Sequence, residues 1–98
     1  MKKVFISQPM KNLSDTEIKE KRRAIKETIK RDYGDVEFID SYFEGAPASA
    51  KPLWFLAKSL ELLSTADMAF FANDWESARG CRIEHIAAEE YEIEIIKE

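Results

Sequence analysis

The chain has 98 residues, 45% hydrophobic and 35% charged, with a net charge of −4. These values exclude a disordered or collagen-like chain and fit one globular domain that buries about two-thirds of its unfolded surface. No apolar run approaches the ~20 residues of a membrane helix, and the acidic balance argues against a nucleic-acid interface.

Met1-Lys2-Lys3-Val4-Phe5-Ile6-Ser7 reads as a short strand, centred on Val4-Phe5-Ile6 and stopped by Pro9, and not as a signal peptide. Ser14-Asp15-Thr16-Glu17 matches a capping box. From it Ile18, Ile25, Ile29 and Tyr33 trace a helical stripe to Gly34, a C-cap. The basic residues of that helix, Lys19, Lys21, Arg22, Arg23, Lys26, Lys30 and Arg31, alternate with acidic ones and read as a solvated face. Val36 to Asp40 forms a second strand, and Ser41 to Lys51, with Gly45 and Pro47, a long loop. Pro52 opens a second helix whose stripe is Leu53, Leu56, Ala57, Leu60 and Leu63. Met68 to Ala72 gives a third strand, about Gly80 to Tyr91 a third helix, and Ile93 to Ile96 a fourth strand.

The order βαβαβαβ predicts one doubly wound, flavodoxin- or Rossmann-like α/β domain over residues 1–98, its four-stranded parallel sheet covered by helices on both faces. In such folds ligands bind outside the carboxyl ends of the strands. That rule selects Ser7-Gln8-Pro9-Met10, Asp40-Ser41-Tyr42 and the run from Asn73 to Glu84.

A single histidine and a single cysteine give no metal constellation, and one cysteine permits no internal disulfide, as in a reducing cytoplasm. Neither Gly-x-Gly-x-x-Gly nor a Walker motif occurs, so no dinucleotide fingerprint and no cofactor are expected. Cys81 and His85, four apart on one helix, are compatible with a nucleophilic pair, and a thiol at a helix N-terminus would be acidified. A buried structural cysteine is the commoner case. Glu84 has the stronger claim: in the first helical turn, beside the end of the third strand, its carboxylate can act as nucleophile, base or acceptor for ribose hydroxyls. Asp74, Trp75, Arg79 and Gly80 share that neighbourhood and suit a ligand with a flat ring and an anionic group.

Phe5-Ile6-Ser7-Gln8-Pro9-Met10, Ala66-Asp67-Met68-Ala69 and Gly80-Cys81-x-x-Glu84-x-x-Ala87, in this order, resemble the nucleoside 2-deoxyribosyltransferase superfamily. The nearest likeness is a small phage and bacterial domain family of unknown function. The resemblance covers essentially the whole chain. It implies that Glu84 attacks an anomeric carbon, expelling the base and forming a glycosyl ester that another base or water resolves. It makes Ser7-Gln8-Pro9 the first ligand-contacting loop and implies a homodimer or higher oligomer whose neighbour closes the pocket. The expected partner is a nucleoside, a nucleotide or an ADP-ribose-like molecule.

Three positions depart from the transferase pattern. Phe5 stands where a tyrosine hydroxyl orients the nucleophile, Ala78 where an aspartate precedes the motif glycine, and Ser59 near an aspartate that protonates the leaving base. Asp74 and Asp40 are candidate replacements. Ser7, Ser41, Ser59 and Ser77 are candidate counterparts of the serines that hold a phosphate in the hydrolase branch. A non-catalytic binder using the same crevice, with Glu84 on ribose hydroxyls and Trp75 or Tyr42 stacked on a base, is the alternative.

Overall fold

The computed structural model describes residues 1–43 and 46–98, so Gly45 of the predicted loop lies outside the described residues. Strand β1 (Lys2–Ser7) is followed by helix α1 (Asp15–Tyr33), β2 (Val36–Phe38), α2 (Pro52–Leu63), β3 (Met68–Phe71), a 3₁₀ turn (Trp75–Ser77), α3 (Arg79–Glu90) and β4 (Glu94–Lys97). All strands are parallel, in the order β2-β1-β3-β4. The fold is therefore the doubly wound α/β domain that the element order predicts.

Local chemistry sets the boundaries. The Ser14 hydroxyl accepts the Glu17 amide at 3.2 Å and the Glu17 carboxylate accepts the Ser14 amide at 3.2 Å, so the capping box closes in both directions. Gly34, at φ 75°, ends α1 by donating its amide to the Lys30 carbonyl at 2.9 Å, a backbone geometry that side chains disfavour. Ser14→Ala removes one end of the capping box, and we expect thermal unfolding to report a loss of about 1 kcal/mol.

Alternation along the central strands divides the core between the two faces of the sheet. Val4, Ile6, Met68, Phe70 and Ala72 face α1, where Ile25 and Ile29 meet them. Phe5, Ala69 and Phe71 face the opposite side, against Leu63 of α2 and Ala88 of α3. All four residues of β3 are buried, as in a parallel strand covered on both faces.

The details correct several expectations. β1 runs two residues further toward the N-terminus and one further toward Pro9, because it pairs with both β2 and β3. Tyr33 is exposed, and the fourth inward residue of α1 is instead Arg22, midway between Ile18 and Ile25 on the apolar stripe. The basic residues of α1 are therefore not one solvated face. In α2 the inward line is Leu56, Leu60 and Leu63; Ala57 is exposed and Leu53 is 72% exposed, one turn beyond that line. Among the described residues no helix is long and apolar enough to cross a membrane.

β2 lies on one side of β1 and β3 on the other, so the chain reverses its direction of winding between β1 and β3. Loops leaving neighbouring strands in opposite directions open a crevice at that point.

Candidate functional site

Ser7, the last residue of β1, projects to the same face as Phe5 and meets Glu84 of α3. Its hydroxyl donates to the Glu84 Oε1 at 2.6 Å, and the Ser59 hydroxyl of α2 lies near enough to favour the ionised form of the same carboxyl. Glu84 is 7% exposed. Burial raises its pKa above the ordinary value, while the two serines and, less strongly, the Arg22 charge pull it back down. This is not a solvated first-turn glutamate offsetting a helix dipole. α3 starts at Arg79, so Glu84 stands in the second turn and not the first. Strands, α2 and α3 converge on it, and desolvation governs its chemistry.

Arg22 reaches the carboxyl end of β1 from the opposite face of the sheet. Its Nη2 donates to the Ser41 hydroxyl at 2.9 Å and to the Ile6 carbonyl at 3.5 Å, and Ser41 donates in turn to that carbonyl at 3.2 Å. Arg22 is only 6% exposed, and its buried Nε and Nη1 have no hydrogen-bond partner. Burial lowers its pKa, and the charges of Asp40 and Glu84 oppose that shift. Neither carboxylate forms an ion pair with it among the described residues. Asp40 is exposed and accepts the Tyr42 amide at 3.3 Å, while the Tyr42 hydroxyl donates to Asp15. Arg22, Asp40 and Tyr42 line a cavity of about 750 Å³ with Lys19, Lys26 and Phe43.

A second cavity, of about 320 Å³, lies at the β1/β3 crevice and is lined by Gln8, Pro9, Asn73 and Asp74 among others. The Gln8 Nε2 donates to the Ile18 carbonyl at 3.3 Å, leaving its buried Oε1 without a partner. Met10 is half-buried and turns the chain by accepting the Leu13 amide at 3.2 Å. Asp74 is exposed at φ 67° and starts the 3₁₀ turn, its carbonyl accepting the Ser77 hydroxyl at 2.6 Å. Glu84 lines neither cavity. It stands behind both, on the α2–α3 side of β1.

The structure therefore gathers Ser7, Ser59, Cys81 and Glu84 into one cluster, with Arg22 and Asp40 electrostatically linked to it. Trp75 and Arg79 are placed elsewhere. The Trp75 ring stacks on His85 at 4.3 Å and 11°, meets Phe71 edge-on at 5.5 Å, and carries the Lys97 ammonium 5.3 Å from its centroid. The 3₁₀ turn folds the indole back against the core, which corrects its expected role as a free wall for a ligand ring. Arg79 is exposed. A Cβ on Gly80 would meet nothing within 4 Å, so the glycine leaves open space above the start of α3.

Cys81 is 5% exposed, and burial pushes its thiol up to about 11, reinforced by the Glu84 charge and only partly offset by Ser7 and Arg82. The acidified helix-terminal thiol is thus overturned: loss of water outweighs any helix dipole. His85 stacks on Trp75 and meets Phe71 edge-on rather than being set as a base for it. We expect Cys81 to resist iodoacetamide at pH 8 in the native protein and to react promptly in denaturant; fast native labelling would contradict the burial.

Two site residues take parts that the sequence reading did not give them. Ser59 stood near a lost acid and among the candidate phosphate-holding serines, yet its hydroxyl lies beside the Glu84 carboxyl and lowers its pKa. Arg22 was counted with the surface charges, although its spacing of four from Ile18 and three from Ile25 places it on the buried stripe. Among the described residues no three His, Cys, Asp or Glu side chains converge as metal ligands would.

No family model matches the chain, and no curated protein does. The crystal structure of a conserved protein from Enterococcus faecalis V583 is similar in fold, with a TM-score of 0.72 and 15% sequence identity, over 99% of this chain and 62% of that one. The likeness extends to the arrangement of the backbone alone, and this chain spans about 62% of the neighbour's length.

Proposed function

We propose that this domain binds a nucleoside or nucleotide and cleaves, or transfers at, its N-glycosidic bond through Glu84. The observation that carries the reading is a buried carboxyl, its pKa raised by desolvation, that accepts the Ser7 hydroxyl at the carboxyl end of β1 with Ser59 beside it. A carboxylate used only for packing would be a poor choice there, because an ionised group in a desolvated place is costly. The resemblance to the nucleoside 2-deoxyribosyltransferases gives the carboxylate its chemistry. A Glu84 oxygen bonds to the anomeric carbon as the carbon–nitrogen bond breaks, and the base leaves with the electron pair and takes a proton. Water or an acceptor base then displaces Glu84 from the ester, with net retention at the anomeric carbon.

The same reading includes a homo-oligomer in the cytoplasm. Leu53 and Phe55 of α2 and Ile83 and Ile86 of α3 are exposed apolar residues that a second copy would cover. The test of the chemistry is release of free base from a panel of deoxynucleosides and their monophosphates. No release by the wild-type protein, or equal release by Glu84→Ala, refutes it.

A specific observation supports binding without turnover as the second reading. Phe5 is fully buried without a hydroxyl to orient Glu84, and both candidate proton donors, Asp40 and Asp74, are exposed. A ligand at 100 times its dissociation constant would then add about 2.7 kcal/mol of stability while remaining intact.

A further inference from the structure

We infer that the cavity between α1 and the carboxyl ends of β1 and β3 is a binding site for a small organic cation, an amine or amidine carried on an apolar body. The site is separate from the proposed function. Glu84 meets Ser7 on the face of the sheet that α2 and α3 cover, and it lines no part of this cavity. Ser7 and Gln8 are consecutive, yet Ser7 turns to α3 and Gln8 to α1. A molecule held by Gln8 is therefore on the other side of the sheet from one that Glu84 addresses.

Gln8 is 6% exposed. Its Nε2 donates to the Ile18 carbonyl at 3.3 Å, which fixes the amide, because the flipped orientation would set two acceptor oxygens against each other. The Oε1 is then a buried acceptor with no donor. Such a group is destabilising as it stands, and buried acceptors ordinarily find a partner. The two heads of the amide point apart. Gln8 lines the cavity and Ile18 does not, so the oxygen is the head left for an occupant.

The other walls specify that occupant. Pro9, Leu13, Ile25 and Ala72 give an apolar lining for its body. At the rim stand two carboxylates, Asp74 and Glu98, against one ammonium, Lys21. Glu98 already accepts the Asn73 amide at 2.8 Å. Asp74 has no ion pair among the described residues. The buried oxygen asks for a hydrogen-bond donor and the rim asks for positive charge. A neutral alcohol meets the first demand alone and an anion meets neither; a protonated amine or amidine meets both. A volume of about 320 Å³ is at the small end of ligand pockets, enough for one ring with its head group.

The site is tested by NMR titration of the full chain with benzylamine and benzamidine, and with benzyl alcohol and benzoate as their neutral and anionic counterparts. The two cations should bind more tightly than the other two, move the amide signals of Thr28, Ala72 and Asn73, and bind less tightly as salt is added. Gln8→Leu keeps an apolar side chain and removes the acceptor, so it should weaken cation binding about tenfold or more, as loss of a hydrogen bond to a charged group implies. If Gln8→Leu does not fold, Asp74→Asn decides. Its position is exposed, and asparagine accepts the positive φ there. Cation affinity and its salt dependence should fall in that variant while benzyl alcohol binding is unchanged. Glu84→Gln should bind the cations as wild type does. No binding of either cation, the result for a cavity that holds only water, overturns the site. So does wild-type affinity in a folded Gln8→Leu or in Asp74→Asn. Benzyl alcohol or benzoate binding as tightly as the amines overturns the assignment to a cation. Signals moving in α2 and α3 alone, or affinity lost in Glu84→Gln, place the probe at Glu84 and overturn the site as well. Base release enters none of these readings, so the Glu84 chemistry stands or falls apart from them.

Discussion

Glu84→Gln should lower base release on the order of 10³-fold or more, as removal of the proposed nucleophile implies, and at the same time make the folded protein more stable at pH 7. The second effect follows from the burial of the carboxyl. In the folded chain desolvation raises the Glu84 pKa above the ordinary glutamate value, and Ser7, Ser59 and Arg22 only offset that. Between the ordinary value and the raised one, the folded chain holds a proton that the unfolded chain has released. The contribution to stability is therefore complete below the ordinary glutamate range and is lost as pH rises through the folded-state pKa. Glutamine keeps the shape and still meets the Ser7 and Ser59 hydroxyls, but it has no proton to lose. The gain at neutral pH should be roughly 1 kcal/mol, or about 4–8 °C in melting temperature for a domain of this size. Loss of the favourable Arg22 charge works against it, but burial outweighs that charge. The check is melting temperature against pH for both proteins. The wild-type curve should fall with rising pH where the variant is flat, and base release by wild type should decline on the acid side at a pH above the ordinary glutamate range. A variant less stable than wild type at pH 7, or equally active, contradicts the assignment.

The fold was legible because each element carries its own punctuation. The Ser14–Glu17 pair, Gly34 and Pro52 mark helix ends by hydrogen-bond chemistry that operates within a few residues, and all three act as their positions imply. The buried run Met68 to Phe71 declares a central parallel strand through composition alone. The site was legible in part, for the same reason: Ser7 and Glu84 stand where a parallel sheet presents its strand ends. What remained hidden depends on contacts far apart in sequence. The burial of Arg22 needs Ser41 and the Ile6 carbonyl to receive it, and neither partner can be deduced from a helix read on its own. Ser59 meets Glu84 only because α2 and α3 lie side by side on one face. The 3₁₀ turn between β3 and α3 redirected Trp75 inward, since a single extra turn changes which face an aromatic meets. For Cys81 the position on the helix and the depth of burial pull the pKa in opposite directions, and in the folded protein burial prevails.

Phe71→Ala should cost about 3–5 kcal/mol, a large share of the ~5–15 kcal/mol that a domain of this kind possesses. Phe71 is fully buried at the end of β3, in the cluster with Phe5, Leu63 and Ala88. Its ring also meets His85 edge-on at 4.9 Å and Trp75 at 5.5 Å, so it supports the stacked pair that precedes and lines α3. The cavity left by alanine would open beneath His85, the residue next to Glu84. Stability and site geometry should therefore fail together, with base release lost at urea concentrations below the unfolding midpoint. Phe71→Leu separates volume from ring contacts. A volume-conserving apolar replacement usually costs under ~1.5 kcal/mol, so a similarly small loss would show that filled space is what β3 requires at this position. A Leu variant as unstable as the Ala variant would instead locate the energy in the aromatic contacts with Trp75 and His85. In that case the run from Trp75 to His85 is a rigid support for the Glu84 carboxyl, and replacing Trp75 should perturb base release without any contact between the indole and the ligand.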